Sequence, residues 1–114
     1  MKVFAMTQIT SKFDDVSKGF INIYQVLDNE LQRSDIFIPF LNSMLKLQAC
    51  ISLSGNASAA SNDAMNIALD SIKRMKEHIN NITETNLVAP ALTDPMIKEC
   101  ETLRILIEEY IIKE

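Results

Sequence analysis

The chain has 114 residues, of which 47% are hydrophobic, with a formal net charge of −4 and only two glycines, three prolines and two cysteines. This length and composition fit one globular domain over residues 1–114, and they exclude a disordered chain and a disulfide-rich scaffold. The acidic balance argues against a nucleic-acid binder, because neutralising phosphates requires concentrated lysine and arginine. With so few turn-forming residues, we expect few and long secondary-structure elements.

The first predicted helix runs from Ser11 to Leu31. Ser11 with Asp14 three residues later resembles a capping box, which is typical of a helix N-terminus. Gly19 flanks the apolar stripe and would let another backbone approach. The stripe itself recurs every three or four residues and comprises Phe13, Val16, Phe20, Ile23, Leu27 and Leu31.

The second predicted helix follows a polar break at residues 32–35 and begins near Ile38. Pro39 sets this start, because proline is tolerated in the first turn of a helix and damaging deeper inside it. Gly55 is the predicted residue just beyond the C-terminus. The apolar stripe comprises Phe37, Phe40, Leu41, Met44, Leu47 and Ile51.

The third predicted helix begins between Asn56 and Ser61 and ends near Ile82. Alanines dominate its first half, and Ile72, Met75 and Ile79 dominate the second. Three cations near the end of this helix complement the negative end of its dipole: Lys73, Arg74 and Lys76.

A longer connection, Thr83 to Thr93, precedes the fourth predicted helix. Asp94 followed by Pro95 predicts the helix start, as an N-cap and a proline in the first helical position. The helix is expected to reach about Ile112. Its core stripe comprises Met96, Cys100, Leu103, Ile107 and Tyr110.

These elements predict an all-α fold, a four-helix antiparallel bundle. A three-helix bundle with a docked C-terminal helix is the alternative. No run approaches the ~18 consecutive apolar residues of a membrane span, and no secretory signal is evident. We therefore expect a cytoplasmic protein without a membrane span.

The sequence offers no constellation typical of catalysis or metal binding. His78 is the only histidine, and it lies at the border of an apolar arc without the Glu-x-x-His spacing of bundle metal sites. Cys50 and Cys100 are predicted to be buried and roughly 10 Å apart along the bundle axis, too far for a disulfide. We therefore predict no catalytic residues, no metal or cofactor site and no small-molecule substrate.

The fourth predicted helix carries a second apolar stripe. Ile105 and Ile112 are seven residues apart and share a face, which points roughly half a turn away from the core stripe at ~100° per residue. Ile97 widens this surface. Together with the preceding connection it forms a candidate interface of Leu87, Val88, Leu92, Ile97, Ile105 and Ile112. Burial of these residues inside the monomer is the alternative, which the sequence leaves open.

These features favour a non-enzymatic protein–protein interaction module: a small acidic helical adaptor, chaperone or inhibitor. It would bind a protein partner, or a second copy of itself in a homodimer, through an apolar helix face. The alternative is a small helical transcription or nucleic-acid-associated regulator, acting through the basic end of the third helix.

Overall fold

The computed structural model describes residues 2–26, 37–56, 61–84 and 88–113. These residues form four α-helices: α1 Lys2–Val26, α2 Ile38–Asn56, α3 Ser61–Glu84 and α4 Pro90–Lys113. The predicted all-α four-helix bundle is thereby confirmed. None of the described helices combines the length and the apolar character that crossing a bilayer requires.

The helices pack antiparallel around one core. Lys12 of α1 binds Glu99 of α4, and a Cβ added to Gly19 would lie 3.3 Å from Met96 Cγ, so residue numbers rise along α1 as they fall along α4. The described part of α1 packs mainly on α4, and α2 packs mainly on α3. Contacts between α3 and α4 join these two pairs, and a narrower contact links α1 to α2.

Each helix contributes apolar side chains to the same core. Among the described residues, every predicted core residue of α4 is buried, which distinguishes this fold from a three-helix bundle with a peripheral fourth helix. The narrower contact between α1 and α2 is aromatic: the ring of Phe20 stacks on Phe37 and Phe40 at centroid distances of 5.4 and 5.3 Å. The wholly buried large side chains include Ile9, Ile23, Phe40, Leu47, Met65, Ile72, Met75, Ile79 and Leu103.

The start of α1 differs from the prediction. The helix begins at Lys2, so Ser11 and Asp14 lie inside it, and no capping box forms there. The reason is that Ile9, wholly buried, continues the stripe of Phe13 and Val16 toward the N-terminus. The predicted end at Leu31 and the polar break at 32–35 lie outside the described residues.

The start of α2 at Ile38 agrees with the prediction from Pro39. The amide of Leu41 donates a hydrogen bond of 3.1 Å to the carbonyl of Phe37, which closes the first turn. The prediction for the other end is wrong, because α2 continues through Gly55 to Asn56.

The start of α4 also differs from the prediction. Pro90 takes the first helical position, so the connection after Glu84 spans only residues 85–89, and Asp94 and Pro95 lie within the helix. The amide of Leu92 donates a hydrogen bond of 2.9 Å to the carbonyl of Ala89, closing the first turn. Pro95 has no N–H to donate to the Ala91 carbonyl, and Ala91 is exposed, so that carbonyl does not belong to a buried residue.

Candidate interaction surface

The predicted interface residues of α4 and its connection occupy different environments. Val88 is buried in the core, and Leu92 and Ile97 are partly buried and pack against it. Ile105 is 44% exposed. Leu87 and the side chain of Ile112 lie outside the described residues. Within the described part of this predicted interface, Ile105 is therefore the large apolar side chain at the surface.

Charged side chains surround Ile105. Glu101 precedes it by four residues, and Glu108 and Glu109 follow it by three and four, so all three are its neighbours on the helix surface. Arg104 bridges two of these carboxylates: its guanidinium binds Glu101, and its Nη1 lies 2.7 Å from Glu108 Oε2. Among the described side chains of this face, Ile105 is thus the one large apolar group, and it lies inside an ion-paired patch.

Glu101 is the centre of that patch. It accepts hydrogen bonds from Arg104 on its own helix and from Lys76 Nζ of α3 at 2.6 Å. These two cations, Arg104 first, lower the pKa of the Glu101 carboxyl to about 2. The pairing links α3 to α4.

Two of the three cations at the basic end of α3 are paired with carboxylates. Arg74 Nε lies 3.1 Å from Asp70 Oδ2 one turn earlier, and Lys76 binds Glu101. Cations engaged in this way have less charge to offer a phosphate backbone. No observation on the described residues favours the nucleic-acid alternative.

A second exposed apolar face, which the sequence analysis did not identify, runs along α2. Ile38, Leu45 and Leu53 are 39%, 50% and 60% exposed, and they lie opposite the core residues of that helix. Lys46 is the one charged residue in the 19 residues of α2. The sequence already shows this shortage of charged residues, and the exposed face of α2 could have been predicted from it.

On α1, the exposed apolar side chains among the described residues occupy a shorter stretch of the helix. Ile21, Tyr24 and Val26 are exposed, but all three lie in the last six residues of the helix. Tyr24 also contacts Phe37 with ring centroids 5.6 Å apart, which places this end of α1 beside the start of α2. The apolar face of α2, by contrast, extends along most of its helix.

A cleft of 590 Å³ lies between α3 and α4. Leu69 and Ile72 contribute apolar surface, and three cations and three carboxylates also line it. Because these charges compensate one another, the lining favours neither an anionic nor a cationic ligand. The charged members are Lys73, Lys76, Arg104, Asp70, Glu77 and Glu108.

The residues considered for redox or metal chemistry are the two cysteines and the histidine. Cys50 and Cys100 are free and buried, as predicted. Burial raises the pKa of the Cys100 thiol to about 12, and burial also raises the pKa of Cys50. His78 is partly buried on α3. Within the described ranges, no three His, Cys, Asp or Glu side chains are grouped closely enough to hold a metal ion.

Among the described residues, the outward face of α2 is therefore the most extended apolar surface. On the described part of α4, Ile105 is a single exposed large apolar side chain. Comparison of the chain with known protein families, with curated proteins and with solved structures finds no match.

Proposed function

We propose that this chain is a non-enzymatic protein-interaction module that binds a partner through an apolar helix face. The observation that carries the proposal is the outward face of α2, where Ile38, Leu45 and Leu53 are exposed along a helix with a single charge. Burying apolar surface is favourable by roughly 25 cal/mol per Å², and extended apolar faces usually mark interaction sites.

The bundle suits this role because its core does not depend on the exposed residues. The buried side of α2 holds the helix through Phe40, Leu47 and Cys50, which leaves the other side available. A partner helix laid along such a face buries side chains spaced three and four residues apart. Adaptor, chaperone and inhibitor roles are all forms of this activity.

Ile105 on α4 supports a smaller contact of the same kind. Because Glu101, Glu108 and Glu109 surround it, a partner at this position would have to match charged groups as well as one apolar side chain. We therefore assign the principal contact with the partner to α2. Position 105 on α4 serves as the comparison with position 45 on α2 in the experiment below.

Site-specific photo-crosslinking tests the proposal. A photoreactive phenylalanine analogue is introduced at position 45, 105 or 25, one at a time, and the protein is expressed in its native host and irradiated. Gln25 is exposed and polar, so it reports background. We expect discrete protein adducts from position 45 that position 25 does not give. Identical adduct patterns from positions 45 and 25 would contradict the proposal.

A further inference from the structure

We draw no further inference here: the strongest candidate, the exposed apolar face of α2 formed by Ile38, Leu45 and Leu53, carries none beyond the proposed function, because nothing in the described part of the structure shows what covers it.

Discussion

Lys76 Nζ of α3 lies 2.6 Å from Glu101 Oε2 of α4, and Arg104 binds the same carboxylate from within α4. One glutamate thus connects the helix pair α1–α4 to the pair α2–α3. Because 38% of the Glu101 side chain is exposed, water screens this pairing, and its contribution to stability is modest.

Glu101→Gln should lower the free energy of unfolding at neutral pH by up to about 1 kcal/mol. The folded-state pKa of about 2 is below the ordinary value of 4.5. The stabilisation is therefore fully present above that ordinary value and is lost as pH falls through the folded pKa. Urea unfolding of the two proteins at a series of pH values measures this, and their difference should shrink between about pH 5 and pH 2.

Glu109→Gln is the matched control for Glu101→Gln, because Glu109 is exposed on the same helix. It should change stability by less than about 0.5 kcal/mol at neutral pH. Equal effects of the two substitutions would contradict a specific role for the Glu101 ion pairs.

The stabilities of Leu103→Ala and Ile105→Ala should show which of these two residues of α4 lies in the core and which at the surface. Leu103 is wholly buried, and Ile105 is 44% exposed two residues later. Leu103→Ala should destabilise the fold by about 2–5 kcal/mol, because it removes buried methyl groups and leaves a cavity. Ile105→Ala should stay within about 0.5 kcal/mol of the wild type. Chemical denaturation measures the free energy of unfolding of both variants. A large loss of stability in Ile105→Ala would place that residue in the core.

Gly19→Val should destabilise the fold by about 1–3 kcal/mol through overpacking. A Cβ at position 19 would already lie 3.3 Å from Met96 Cγ, and the branched methyl groups of valine would press further against the Met96 side chain. Thermal and urea unfolding measure the effect. Gln25→Val, at an exposed position on the same helix, controls for placing a β-branched side chain on α1 and should change stability by less than about 0.5 kcal/mol. A Gly19→Val variant as stable as this control would mean that the Met96 side chain makes room and that Gly19 is not required for the packing of α1 on α4.

The candidate surface was only partly accessible to sequence reasoning. Spacing alone correctly placed Ile105 on the face of α4 opposite the core. The α2 face was missed, although its single charge is plain in the sequence. Periodicity gives the relative angles of residues on one helix, but it does not tell which of two apolar faces a neighbouring helix covers.

The sequence by itself determined the all-α class, the beginning of α2 at Ile38 beside Pro39, and the core stripe of α4, because helical spacing and proline geometry are local properties. The predicted stripe of α2 is correct except for Leu41, which is only partly buried and lies outside the core. Tertiary structure decided the rest. Burial of Ile9 extends α1 toward the N-terminus, past the helix start predicted at Ser11. Val88, predicted as an interface residue, lies in the core. The exposure of Leu45 and Leu53 was likewise settled by how the four helices pack, because burial depends on neighbours that are distant along the chain.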